Sequence, residues 1–204
     1  MEAVYTALLS VAAFILGAIP FSVIIGRLLL QKDITKYGDG NPGAANVFRA
    51  GNIPIGLLAV FFDICKGVLF VALSHTIFSL SAVSVVIIAV SAVLGHAFSP
   101  FLRWHGGKAI AVTFGVMLGL LPEYAILLTF IIFMLLGFLM IKNDAWKVTI
   151  GATGTLAYLV VAKGNSWEPL LMLCLLIILV IKHFEGLHAL PSFRANLFRW
   201  VQRN

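Results

Sequence analysis

The sequence predicts an all-α polytopic membrane protein of about seven transmembrane helices, two of them short, with its N-terminus outside and its C-terminus cytoplasmic. Three observations predict it. Of 204 residues, 61% are hydrophobic and 11% charged, against roughly 45–50% apolar and about 25% charged in soluble domains. The hydrophobic residues fall in long runs with few charges, and the mean hydropathy is +1.07. The basic residues collect in the connections on one side of those runs. Crossing a hydrocarbon core about 30 Å thick takes about 20 helical residues, so this length holds about seven crossings and no separate soluble domain. Residues 1–204 thus read as one integral membrane domain.

The first apolar run, Ala3 to Leu30, carries one charge, Arg27, near its end. Pro20 predicts a kink within it, since proline lacks an N–H and its ring crowds the preceding turn. The run has neither the basic start nor the small-residue cleavage site of a secretory leader, and Glu2 is acidic, so it is expected to stay attached. Six runs follow: Ile53 to Leu73, Phe78 to Phe101, Ala109 to Leu121, Glu123 to Ile141, Val148 to Ala162 and Pro169 to Ile181. The fourth and sixth of the seven fall short of about 20 residues, which keeps open five crossings with two re-entrant or interfacial segments. The tail, 190–204, sets Phe193, Leu197, Trp200 and Val201 at helical spacing with Arg194, Arg199 and Arg203 between them. That is the pattern of an amphipathic helix on an anionic leaflet.

With seven crossings and the N-terminus outside, all of the 14 basic residues except Lys66 and Lys163 fall on the inner side. The positive-inside rule therefore fixes the orientation, and the formal charge of +6 needs no nucleic-acid partner to explain it. Outer connections such as Ser74-His75-Thr76 are too short to build a site, so chemistry belongs to the inner, cytoplasmic face. Cys65 and Cys174 lie inside apolar runs and read as small core residues. His75, His105 and His188 form no metal-ligand pattern, and no metal is expected.

The first inner connection, Tyr37-Gly38-Asp39-Gly40-Asn41-Pro42-Gly43-Ala44-Ala45-Asn46-Val47-Phe48-Arg49, carries most of the information. Glycine turns can aim several N–H groups at one point and make an anion nest. Asn46 and Arg49 share a face if a helix begins there, pairing a neutral and a charged donor, which suits a phosphate. A plain tight turn between helices is the other reading. Gly106-Gly107-Lys108 precedes the fourth run, where exposed N–H groups, the helix dipole and Lys108 together make a phosphate-binding end, or simply an anchor after a flexible turn. His96, near the inner end of the third run, is a packing hydrogen bond or part of the site. Asp63 and Lys66, three apart at membrane depth, neutralise each other and can also relay charge. His183 and Glu185 follow the last run; from spacing alone they read as interfacial polar residues rather than an acid and a base.

These motifs together resemble the bacterial acyl-phosphate-dependent glycerol-3-phosphate acyltransferases. The resemblance runs through Gly17-Ala18-Ile19-Pro20-Phe21, Asp33-Ile34, Gly40-Asn41-Pro42-Gly43-Ala44, Asn46-Val47, Arg49, Asp63, Lys66-Gly67, Gly95-His96, Phe98 and Gly106-Gly107-Lys108, in order and spacing. It implies a seven-helix enzyme of the bacterial inner membrane that moves a fatty acyl group from acyl phosphate to glycerol 3-phosphate, giving lysophosphatidic acid and phosphate. It implies no coenzyme A, no metal and no other cofactor. By resemblance, Asn46 and Arg49 hold a substrate phosphate, Gly43 permits close backbone approach and Lys108 neutralises charge on the leaving phosphate, while Gly40, Asn41, Gly106 and Gly107 are counted with them as phosphate-binding residues. His183 matches the histidine of the family's last motif, and proton removal falls to Asp39, His183 or the substrate phosphate. Asp63, Lys66 and His96 support the site, and the acyl chain lies between apolar helices among membrane lipids.

The chain departs from the family's usual pattern at four places: Asp39 for serine, Ala45 for threonine, Lys142 to Lys147 for a tyrosine and serine motif, and His183-Phe184-Glu185-Gly186-Leu187 for the last motif. Two rival functions follow. One is a phosphate-binding paralogue without turnover, and the other is a small transporter of a phosphorylated metabolite, suggested by Asp63, Lys66 and His96. The lack of an inverted repeat counts against transport.

Overall fold

The computed structural model describes residues 1–121 and 123–194. It divides into two compact units, Met1–Tyr124 and Ala125–Asn204. Of the predicted tail helix over 190–204, residues 195–204 lie outside the described residues, and residues 190–194 are not helical: Phe193 bridges Ile141 in antiparallel fashion. There the Lys142 N–H donates to Ser192 O at 2.9 Å and the Arg194 N–H to Met140 O at 2.9 Å. Backbone pairing with a neighbouring segment outweighs the local helical spacing.

In the first unit, α1 (Glu2–Ala18) and α2 (Phe21–Leu29) come from the first apolar run. The kink expected at Pro20 is a complete break. Ile19 is extended, as a residue before proline prefers to be, and the helix restarts at Phe21. A break at membrane depth frees carbonyls that lipid cannot satisfy. Here Ser99 Oγ donates to Ala18 O at 2.5 Å and Lys66 Nζ to Ile19 O at 3.0 Å.

A one-turn 3₁₀ helix (Ile34–Lys36) and α3 (Ala44–Ala50) shape the first inner connection. They are pinned by apolar side chains: Ile34 and Val47 are fully buried in a cluster with Val23, Ile25 and Ala59. Next come α4 (Ile53–Ala72), which continues through a π-helical turn to Ile77, then α5 (Ala82–Ala97) and the short α6 (Ile110–Gly119). α1 packs on α5, and α4 packs on α6. Both contacts are close because glycines face backbone: a Cβ on Gly17 would strike the Ala92 carbonyl, and one on Gly115 the Ile64 carbonyl.

The second unit holds α7 (Tyr124–Met140) from Ala125 onward, α8 (Asp144–Lys163) and α9 (Glu168–Leu187). Among the described residues, five stretches are long and apolar enough to cross a bilayer: Glu2–Leu29, Ile53–Ile77, Ala82–Leu102, Asp144–Lys163 and Glu168–Leu187. The two short apolar helices are α6 and α7, so the fourth run is short as expected, but the sixth is not. Its helix begins before the apolar stretch because Asn143 caps it, Oδ1 accepting from the Ala145 N–H at 2.9 Å, and because Lys147 is neutralised by Asp144 at 2.6 Å. Counting apolar residues alone misses a charge that the first turn of a helix cancels.

Candidate functional site

The first inner connection closes around one carboxylate. Gly38 and Gly40 take positive φ of 58° and 74°, putting Asp39 at the tip of a turn that other residue types resist. Asp39 Oδ1 accepts the Asn41 N–H at 3.3 Å and Asn46 Nδ2 at 3.0 Å. Lys108 reaches across from the other glycine-containing loop, its Nζ lying 2.6 Å from Asp39 Oδ2, and Arg49 Nη1 stands 3.6 Å from Oδ1. The two basic loops, separated by more than fifty residues in sequence, thus meet at a point within the first unit. The Asp39, Arg49 and Lys108 side chains are 41%, 46% and 35% exposed, so a soluble anion can reach them.

Burial by itself would raise the Asp39 carboxyl. The hydrogen bond from Lys108, then the Asn41 N–H, the Lys108 charge and the Asn46 amide outweigh it and hold the group down at about 2. Asp39 is therefore ionised throughout the physiological range.

Asn46 differs from the expectation that it faces a ligand. It is fully buried; its amide nitrogen donates to Asp39 Oδ1 and, at 2.8 Å, to Asn41 O, while its oxygen accepts from Arg49 Nη1 at 2.7 Å. Both amide hydrogens and the carbonyl are engaged inside the loop, so Asn46 positions Asp39 and Arg49. The glycines also act differently from an exposed nest. The Gly40 N–H donates to Tyr37 O at 3.1 Å and the Gly107 N–H to His96 O at 3.0 Å. Neither Gly106 nor Gly107 lies in the first turn of α6, which starts at Ile110 after Ala109 in a left-handed conformation, φ 63°. Their service is close approach: a Cβ on Gly106 would strike the His96 carbonyl, and one on Gly107 the His96 imidazole. Gly43 is the residue before α3, and a Cβ there would crowd the Asn41 side chain at 2.7 Å.

The supporting residues form a second, buried constellation. Asp63 Oδ1 is 2.8 Å from Lys66 Nζ and 3.8 Å from His96 Nδ1, and Ser22 Oγ donates to Asp63 Oδ2 at 3.0 Å. All four side chains are nearly inaccessible. A small pocket beside the buried constellation is lined by Pro20, Pro42, Asp63, Lys66, His96 and Gly107 among others. Pro42 belongs to the Asp39 loop and Gly107 to the Lys108 loop, so the pocket touches both.

Ser22, Ser99 and Lys32 are missed by the sequence reading. Lys32 Nζ donates to the Ala50 carbonyl at 2.6 Å and so closes the last turn of α3. The signal for Ser22 and Ser99 is positional, since each lies within two residues of a proline that ends or starts a helix. His183 lies in the second unit on α9, buried, with Nδ1 at 2.8 Å from Leu179 O. A carbonyl only accepts, so Nδ1 carries the hydrogen and Nε2 is the basic nitrogen of the neutral ring.

Comparison with known proteins gives one consistent set. The model of the family described as glycerol-3-phosphate acyltransferase matches residues 7–191. A glycerol-3-phosphate acyltransferase of Lactococcus lactis subsp. lactis is 34% identical over 196 residues, covering 93% of this chain and 92% of that one. Another, from Syntrophomonas wolfei subsp. wolfei, is 35% identical over 181 residues, covering 87% and 88%. A crystal structure of PlsY (YgiH), an integral membrane glycerol 3-phosphate acyltransferase, in its glycerol 3-phosphate form, superposes with a TM-score of 0.81 at 24% identity over 96% of this chain and 98% of that one. At that identity the likeness is one of fold.

Proposed function

The chain belongs to the glycerol-3-phosphate acyltransferase family, and on that premise we propose that it makes lysophosphatidic acid by moving a fatty acyl group from acyl phosphate to glycerol 3-phosphate. It is a multi-pass membrane acyltransferase of phospholipid biosynthesis. The distribution of basic residues supports a site that faces the cytoplasm from a bacterial inner membrane. The observation that carries the assignment of residues is the meeting of Lys108 and Arg49 on one exposed anion position, now held by Asp39.

In the reaction the 1-hydroxyl oxygen of glycerol 3-phosphate bonds to the acyl carbon, the bond from that carbon to the phosphate oxygen breaks, and inorganic phosphate leaves. Both substrates carry phosphate, so the main task is to hold two anions side by side and stabilise the charge that grows on one of them. Arg49 and Lys108 do this as paired cations, and Gly38, Gly40 and Gly107 let the backbone bring them together. Asp63, Lys66 and His96 hold the helix break and the end of α5 on which the Lys108 loop rests. The proton leaves to a substrate phosphate oxygen, whose second pKa is about 6. In the unliganded site Asp39, held by Lys108, is a weak base, because a general base works best with a pKa near the operating pH.

The test is transfer of a labelled acyl group from acyl phosphate to glycerol 3-phosphate by the purified protein. Lys108→Ala and Arg49→Ala are each expected to slow transfer by about 10²-fold or more, the usual cost of losing one donor to developing charge. Unchanged rates in both variants would remove these residues from the site. No transfer by the unaltered protein would refute the activity.

A further inference from the structure

We infer that Asp39 is an internal competitor for phosphate: its carboxylate occupies the cations of the unliganded site, and a phosphate-bearing ligand binds by displacing it from Lys108. The inference rests on the reading of Lys108 and Arg49 as phosphate-holding groups.

Three features of the site carry it. The carboxylate uses both oxygens, Oδ2 on Lys108 at 2.6 Å and Oδ1 facing Arg49 at 3.6 Å, which is how two oxygens of a phosphate would sit between the same cations. The exchange needs no unfolding, because the three charged side chains are between a third and a half exposed while the turn beneath them is fixed by buried Ile34, Val47 and Asn46. Asp39 also has neutral partners to keep when Lys108 lets go, the Asn41 N–H and the Asn46 amide, so the displaced carboxylate is not stranded.

The consequence is an affinity set by exchange. A dianionic ligand meets two positive charges and one negative charge where it would otherwise meet two positive charges, and it must break a charge-assisted hydrogen bond before making its own. A neutral residue of the same shape preserves the Asn41 contact and removes the competitor. Asp39 is in this sense an affinity-determining residue and not a group that reacts.

The experiment measures equilibrium binding of inorganic phosphate, and separately of glycerol 3-phosphate, to the purified full-length protein in detergent, for the unaltered chain, Asp39→Asn and Asp39→Ser. Both variants are expected to bind both ligands about tenfold more tightly, and with a steeper loss of affinity as salt rises. Equal or weaker binding in whichever variant retains the thermal unfolding midpoint of the parent overturns the inference. Should neither variant fold, the unaltered protein decides: phosphate that protects Lys108 from acylation no better than chloride does at equal ionic strength overturns it as well. Acyl transfer measured on the same preparations separates the two proposals. Tighter binding without transfer in any sample sinks the acyltransferase reading alone, whereas normal transfer with unchanged binding sinks the competitor alone.

Discussion

Gly38 and Gly164 both stand at positive φ, 58° and 60°, yet only one of them is in the site. A Cβ at Gly164 meets nothing within 4 Å, whereas one at Gly38 collides with the Asn46 carbonyl oxygen and sits 2.7 Å from Arg49 Cδ. Gly164→Ala should therefore cost only the backbone strain of a left-handed residue, about 1–2 kcal/mol. Gly38→Ala adds displacement of Arg49, and transfer should fall at least tenfold more than in Gly164→Ala at similar unfolding temperature in detergent. A second expectation concerns pH. A carboxyl held at about 2 in the folded chain and at about 3.9 when unfolded contributes stability that is complete above the higher value and lost as pH falls through the lower. Across pH 5 to 9 Asp39 does not titrate, so any acid limb in the transfer rate near pH 6 belongs to substrate phosphate or to histidine. Asp39→Asn should keep that limb in its rate profile; its disappearance would return the proton-acceptor role to Asp39. The sequence showed which residues gather here but not which way they face. Asn46 reads as a donor to ligand from its spacing to Arg49, and burial turns its amide inward; no spacing rule distinguishes these, because the deciding contacts, Asp39 and Asn41, depend on the turn.

At the level of elements, apolar runs marked every long helix, and the errors lie where polar groups cancel inside the fold. Lys147 truncates the sixth run on paper but extends α8 in fact, since Asp144 pairs with it and its ammonium lies 4.9 Å from the Phe138 ring centroid. Pro20 reads as a kink because the sequence does not reveal that Ser99 and Lys66 satisfy the two freed carbonyls, which permits a full break. The position of Lys108 likewise depends on packing beyond its own loop. α6 lies against α4 through Gly67 and Gly115, where a Cβ on Gly67 would strike the Val112 carbonyl. Gly115→Val is expected to push α6 off α4, lowering unfolding temperature and transfer together. Lys66→Met has a different signature: it leaves Asp63 buried without its lysine, and removing one partner of a buried pair costs about 3–5 kcal/mol. The double change Asp63→Leu with Lys66→Met should regain part of that loss in thermal unfolding, while recovery of nothing would show that Lys66 matters for its bond to Ile19 rather than for its charge.

For the whole molecule, the number of crossings turns on the two short apolar helices, α6 and α7. At 1.5 Å per residue, the 10 residues of α6 rise roughly 15 Å and the 17 of α7 roughly 26 Å, against a hydrocarbon core of about 30 Å. If both cross, seven spans place the connection at Glu123 outside. If both turn back, five spans leave that connection within or inside the membrane. With the N-terminus outside, as the positive-inside rule predicts, the rest of the topology is the same in either case: Lys36 inside, Gly164 outside, the chain after α9 inside. The positive-inside rule cannot separate the two, because the connection between α6 and α7 holds no lysine or arginine. Single cysteines at 36, 123 and 164, in a background with Cys65→Ala and Cys174→Ala, resolve it when intact cells are treated with a membrane-impermeant thiol reagent. We expect Gly164→Cys and Glu123→Cys to react and Lys36→Cys to react only after permeabilisation. A protected cysteine at 123 beside a reactive one at 164 would establish five crossings and make α6 a re-entrant helix; reaction at 36 in intact cells would invert the protein and put the cluster of Asp39, Arg49 and Lys108 on the wrong side for a cytoplasmic substrate.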